Sequence, residues 1–164
     1  MHYATIKQTD IADGPGVRVA LYVSGCQLAL EGHPCLDCHN FEAWKKDYGN
    51  EFTSETENQI IEYLSPSYIS GFSLLGGEPL SDFNIDREIK LLKRIKETYP
   101  SKDIWMWTGY VLDEWVKDHD TEILKYIDIV VDGPFIKDLF DPTLKFRGSS
   151  NQRIIDLHEK KQIE

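Results

Sequence analysis

Val17, Val19, Leu21 and Val23 alternate with Arg18, Ala20 and Tyr22. That period of two predicts a strand over Val17–Val23. A helix is predicted over residues 55–64, where Ser54 and Glu57 form a capping box and Pro66 marks the end. Strand spacing returns over residues 71–75, just ahead of Gly-Gly-Glu-Pro at 76–79. The next helix, residues 85–98, carries Ile85, Ile89, Leu92 and Ile95 on one stripe and stops before Pro100. A third strand covers Asp103–Trp107, followed by Thr-Gly-Tyr at 108–110. A helical stretch is expected over residues 112–126, broken near His119, and a fourth strand over 127–132, followed by Gly-Pro-Phe. In the tail, Arg-Ile-Ile-Asp-Leu at 153–157 predicts a final short strand.

Strand, loop, helix, strand is the βαβ pattern, which predicts a parallel sheet with right-handed crossovers. The expected fold class is α/β, either a partial (βα) barrel or an open, mostly parallel sheet. The units are too few for a closed eight-stranded barrel. With 164 residues, no internal repeat and no Gly/Ser/Pro-rich linker, residues 1–164 read as a single domain. In such folds chemistry gathers at the carboxyl ends of the strands. Here those ends are a cysteine-bearing loop at residues 24–40, the Gly-Gly-Glu-Pro turn, Thr-Gly-Tyr and Asp-Gly-Pro-Phe. All the unusual residues fall on one predicted rim.

The apolar fraction, 41%, is enough for a core. A formal charge of −10 argues against an extended nucleic-acid contact, because an acidic surface repels phosphate backbones. The first residues, MHYATIKQTD, have no apolar signal region, and no run approaches membrane-spanning length. The expected compartment is the cytoplasm. There, clustered cysteines serve as ligands or redox groups rather than cross-links.

The chain has three cysteines, Cys26, Cys35 and Cys38, all in the one loop. A structural zinc site wants four protein ligands, and His33 or His39 could supply the fourth. The alternative is a [4Fe–4S] cluster on three thiolates, which leaves one iron open to a cofactor such as S-adenosylmethionine. In that reading Gly76 and Gly77 let backbone carbonyls approach the cofactor's amino group without a Cβ in the way, and Glu78 offers charge to an ammonium. Thr108, Gly109 and Tyr110 sit at the rim, where they could line an adenosine pocket. Trp105 and Trp107 share a strand face and read as core. Arg18, inside a strand, should pair with a carboxylate. Asp128 and Asp132 read as strand-ending residues rather than bases.

The segments at 13–26 (DGPGVRVALYVSGC), 35–44 (CLDCHNFEAW), 73–80 (SLLGGEPL), 102–110 (KDIWMWTGY), 130–135 (VVDGPF) and 141–153 (DPTLKFRGSSNQR) cover most of the chain. Together they resemble the radical S-adenosylmethionine superfamily, and within it the family that activates anaerobic ribonucleoside-triphosphate reductases. The resemblance implies a radical-SAM type fold and two cofactors, a [4Fe–4S] cluster on Cys26, Cys35 and Cys38 and S-adenosylmethionine. The 5′-deoxyadenosyl radical they generate would take a hydrogen from a glycine of the reductase's large subunit. It implies cofactor contacts at Asp37, Cys38, His39, Asn40, Gly76, Gly77, Glu78 and Thr108. An external one-electron donor such as flavodoxin is implied too, since no second cluster motif is present. Two departures stand out. Eight residues lie between the first two cysteines, more than in the family, which brings His33 into the loop. Asp37 precedes the last cysteine where the superfamily often has an aromatic residue. A lengthened loop also occurs in some 7-carboxy-7-deazaguanine synthases, so a small-molecule enzyme of the superfamily is the second reading. A zinc-stabilised binding module is the third. Within the tail at 138–164, the segment at 141–153 resembles the reductase-activating family and is lacking in generic members of the superfamily, and its Arg147, Asn151 and Arg153 read as partner-binding or folding residues.

Overall fold

The computed structural model describes residues 1–163. Its central strands are those the alternation predicts. Strand β1 is His2–Asp10, β2 Val17–Val23, β3 Asn50–Glu51, β4 Ile69–Gly76, β5 Asp103–Trp107, β6 Ile129–Asp132, β7 Arg153–Asp156 and β8 Lys161–Ile163. They form one open sheet in the order β3-β1-β2-β4-β5-β6-β7-β8. The middle pairings, β2 with β4, β4 with β5 and β5 with β6, are parallel. The four outer pairings are antiparallel. The expectation of a mostly parallel sheet is therefore corrected, and holds only for the centre. Crossover segments join the central strands, whereas turns and loops return β1 to β2 and β7 to β8, which fixes antiparallel neighbours.

Helix α2, Ser54–Tyr63, and α3, Asp82–Thr98, cross between the parallel strands. The cap of α2 is Thr53, with Thr56 completing the box, one residue ahead of the predicted Ser54–Glu57 pair. The stretch expected as a broken helix resolves into a single turn, α4 at Leu112–Trp115, and a 3-10 helix at Glu122–Tyr126. Between them His119 stacks on Trp115 with ring centroids 4.7 Å apart. Preceding these in the chain, a short α1 spans Gln27–Leu30.

The pleat sorts the side chains of the central strands onto two faces. Val19, Leu21, Phe72, Leu74, Ile104 and Met106 face α2 and α3 and meet Leu91, Leu92 and Ile95 in the main core. Each such residue, fully buried, contributes about 1.5–3 kcal/mol. The opposite face carries Trp105, Ile129, Val131 and Ile154, with Trp107 and Phe146 packed beside them. Arg18 lies on this second face, wholly buried. It donates to Ser73 Oγ at 2.7 Å, to the Phe72 carbonyl at 2.9 Å and to Asp103 Oδ1 at 2.7 Å. The carboxylate pairing predicted for it is thus made by Asp103. Arg18 also donates to the Pro15 carbonyl at 3.2 Å, and Ser73 Oγ donates to the Asp13 carbonyl at 2.6 Å. These bonds hold the Asp-Gly-Pro-Gly loop against the second face.

Asp132 ends β6 as expected. It accepts from the Leu112 amide and from Arg153, both through buried carboxylate oxygens. Asp128 accepts from the Ile104 amide at 2.7 Å and Lys96 at 2.5 Å. Among the described residues no helix is long and apolar enough to cross a membrane.

Candidate functional site

The carboxyl ends of β2 and β4 are stitched by backbone alone. The Gly77 amide donates to the Val23 carbonyl at 2.8 Å and the Glu78 amide to the Gly25 carbonyl at 2.8 Å. Gly25 and Cys26 in turn donate to the carbonyls of Ala43 and Trp44 at 2.7 and 3.1 Å. This packing explains the two glycines. A Cβ on Gly76 would strike the Val23 backbone, and one on Gly77 would strike the Gly25 carbonyl and lie 2.7 Å from that of Ala43. Their small size serves the close approach of neighbouring chain.

A cavity of about 480 Å³ opens above this junction, on the second face of the sheet. Cys26, Cys35 and Cys38 all line it, together with His39, Asn40, Gly76, Gly77, Glu78 and Thr108. All but one of the residues named as cluster ligands or cofactor contacts therefore line one cavity. The exception is Asp37, which stands outside the lining; its carboxylate pairs with the Lys137 ammonium. Its backbone, at φ 56°, is in the left-handed region that a tight turn between two cysteines demands. His33 is exposed and also outside the lining. The residues added between Cys26 and Cys35 include α1, whose first amide donates to Ser81 Oγ at 3.1 Å, so the longer loop is anchored.

Burial pushes the Cys26 thiol up to about 11, and negative charge on Glu78, Cys35 and Cys38 pushes the same way, against an amide bond from Ala29. Cys35 is raised by burial and by charge on Cys38 and Glu78 and receives the Phe135 amide, which ties the loop after β6 to the cysteine loop. Three thiolates beside a buried carboxylate repel one another, so the donor set calls for a strongly cationic guest, which an iron–sulfur core supplies. The residues present fit a cluster on three thiolates. Among the described residues no three His, Cys, Asp or Glu side chains converge on a single ion.

Glu78 is 1% exposed. Its Oε1 accepts from the Leu80 amide at 2.9 Å and Thr108 Oγ1 at 2.7 Å, and its Oε2 from the Gly109 amide at 2.7 Å. Burial nevertheless raises its carboxyl to about 7. It therefore links the ends of β4 and β5 and brings Thr108 and Gly109 to the wall. Tyr110 packs against the core instead.

Several wall residues carried no assigned role in the sequence. Asp13 and Tyr22 line the cavity, the tyrosine hydroxyl donating to the carboxylate. The alternation along β2 holds the signal for Tyr22, since it shares the face of Arg18. Phe135, Phe140 and Phe146 form an aromatic side, and Trp107, read as core, lies on the wall with its indole donating to the Phe146 carbonyl at 2.7 Å. Of the tail residues, Arg147 lines the cavity, whereas Asn151 donates to the Pro134 carbonyl and Arg153 closes on Asp132 and Asp113.

Residues 12–155 match the model of the family described as the 4Fe-4S single cluster domain. The chain is 44% identical over 154 residues to a protein of Escherichia coli (strain K12), covering 93% of this chain and 96% of that one. It is 42% identical over 156 residues to a protein of Vibrio cholerae, covering 94% and 97%. A protein of Enterobacteria phage T4 is 41% identical over 155 residues, covering 94% and 93%. All three bear the name anaerobic ribonucleoside-triphosphate reductase-activating protein.

Proposed function

The chain belongs to the 4Fe-4S single cluster family and to the anaerobic ribonucleoside-triphosphate reductase-activating proteins, and on that premise we propose that it installs a glycyl radical on such a reductase. The observation that carries the reading is the meeting of Cys26, Cys35 and Cys38 with Gly76, Gly77 and Glu78 around one cavity. When bound, a [4Fe–4S] cluster and S-adenosylmethionine would supply a 5′-deoxyadenosyl radical able to take a hydrogen atom from a glycine Cα.

The protein's own residues do the rest. Cys26, Cys35 and Cys38 would hold the cluster, with no fourth protein ligand on it. Glu78, anchored by Thr108 and Gly109, presents a fixed negative charge to a cationic amine without rotating to meet it. Asn40, His39 and Thr108 border the space for the nucleoside. The aromatic side made by Phe135, Phe140 and Phe146 keeps water from the reacting centre. The cavity volume suits a small-molecule cofactor. Asp37, beside Cys38 but outside the lining, would contact the outer part of the bound cofactor. The proposed setting is the cytoplasm, with an external one-electron donor such as flavodoxin.

The test is anaerobic incubation of the reconstituted protein with S-adenosylmethionine, a one-electron reductant and the large reductase subunit. Electron paramagnetic resonance should then show a glycyl radical on the reductase. Cys26→Ala, Cys35→Ala and Cys38→Ala should each abolish it. Full signal from Cys26→Ala would overturn the ligand assignment. S-adenosylmethionine cleavage by the native protein without any glycyl signal would redirect the reading to a small-molecule substrate.

A further inference from the structure

Among the residues lining the cavity, Arg147 is the one Lys or Arg. The titratable groups around it are Asp13, Tyr22, Glu78, His39 and the three thiols, and the other lining residues are neutral. We propose that Arg147 is the carboxylate-binding residue of this cavity. The proposal rests on the cofactor and partner reading above and adds a residue and a ligand chemistry to it.

The placement of Arg147 is built rather than incidental. Phe146, immediately before it, sits at φ 63°, a region that side-chain-bearing residues rarely adopt. That conformation is held from three sides. The Phe146 ring packs edge-on against Trp105, with centroids 5.3 Å apart, and its carbonyl accepts the Trp107 indole. Beyond Arg147, Gln152 Oε1 accepts from the amides of Gly148 at 2.9 Å and Ser149 at 3.1 Å. Gln152 Nε2 donates back to the Gly133 carbonyl at 3.1 Å. The strap is thus fastened to the ends of β5 and β6, and the strained residue turns its successor toward the cavity. Such strain persists where the surroundings fix it, and it gathers at ligand sites.

Arg147 lies near enough to Asp141 to help lower that carboxyl, but it forms no salt bridge with it among the described residues. Its one hydrogen bond among the described residues runs from Nη1 to the Gln152 carbonyl, 2.6 Å. Arg153, six residues on, is by contrast consumed by Asp132 and Asp113. The acidic groups of the wall are already engaged: Asp13 accepts from Tyr22, and Glu78 accepts from three donors. A half-buried guanidinium with free donors and no carboxylate partner is complementary to a planar anion brought by a ligand. A single carboxylate fits better than a phosphate, whose second charge would face Asp13, Glu78 and the thiols against one cation. Two sources can bring it: the methionyl carboxylate of S-adenosylmethionine, or an acidic group on the reductase.

The test measures equilibrium binding to the cluster-loaded protein under anaerobic conditions, for the native chain, Arg147→Gln and Arg147→Lys. The probes are S-adenosylmethionine, 5′-methylthioadenosine, which lacks the amino-acid portion, and the large reductase subunit. If the cofactor brings the carboxylate, Arg147→Gln should weaken S-adenosylmethionine about tenfold or more and leave 5′-methylthioadenosine unchanged, with Arg147→Lys in between. If the reductase brings it, the same loss appears for the subunit and not for the cofactor. Unchanged affinity for both would overturn the proposal, as would equal weakening of 5′-methylthioadenosine, which marks Arg147 as a brace of the strap. Native protein that binds neither cofactor nor reductase would overturn the functional reading and this proposal with it.

Discussion

Replacing Glu78 by Gln should change how stability depends on pH, in a direction the burial of this carboxyl dictates. Moving a carboxyl from the model value of 4.5 to about 7 separates its charged and neutral forms by roughly 3 kcal/mol. The raised group stabilises the fold fully below its ordinary value, and that contribution is lost as pH climbs through about 7. The native chain should therefore lose roughly 3 kcal/mol of unfolding free energy between about pH 4.5 and pH 8 through this residue. A Gln has no proton to lose. Its amide can still accept from Leu80 and Thr108, but its NH2 would face the Gly109 amide, a cost of about 1–3 kcal/mol at every pH. Glu78→Gln should thus be the less stable protein near pH 5 and draw level with the native chain by about pH 8. Removing the Glu78 charge also relieves Glu88, whose carboxyl it helps to raise, which flattens the mutant profile further. Urea denaturation of the metal-free chain across this range reads the effect directly. Parallel curves for the two proteins would refute the argument that burial outweighs the three donors and raises the Glu78 carboxyl.

Glu88 is wholly buried in α3 with neither carboxylate oxygen partnered among the described residues, and burial with the Glu78 charge raises it well above the ordinary range. Glu88→Gln should therefore gain stability over the native chain increasingly as pH rises from 5 to 8 in the same denaturation series; a gain that shrinks with pH would contradict this. Arg18→Met strands Ser73 Oγ and the Phe72 and Pro15 carbonyls, and should cost about 3–5 kcal/mol; a urea midpoint within error of the native value would show that the loop is held otherwise. Gly77→Ala forces a methyl onto the Gly25 and Ala43 carbonyls and should cost about 1–3 kcal/mol by thermal or urea unfolding, with cysteine mutants of the neighbouring loop showing no such loss.

The bounds of β2 and β5 were legible because β2 alternates apolar residues and β5 is a short apolar run between Asp103 and Thr108; the residues that set them are those the core later claims. The outer strands were not. In β1 only Asp10 is buried, and β8 presents Lys161, Gln162 and Ile163 at the sheet edge, so edge hydrogen bonding rather than apolar patterning defines both. The cap of α2 fell one residue from the prediction because Thr53 and Ser54 are chemically equivalent caps, and only backbone geometry chooses between them. At the site, Cys26, Cys35, Cys38 and Glu78 stood out by chemistry and spacing. The contributions of Phe146 and Arg147 depend on a tail that returns across the sheet from far along the chain, and no local pattern encodes that return. For the two glycines at 76 and 77 the structure supplies a reason no sequence pattern carries: they admit the backbone of Val23, Gly25 and Ala43.

The central claim is that Cys26, Cys35 and Cys38 hold an iron–sulfur cluster open to a cofactor. Anaerobic purification, with iron, sulfide and zinc content and a reduced electron paramagnetic resonance spectrum recorded with and without S-adenosylmethionine, tests it most directly. The account predicts about four iron and four sulfide per chain and a signal altered by S-adenosylmethionine. About one zinc per chain and no cluster signal would contradict it, and would make the three cysteines with His39 a closed structural site.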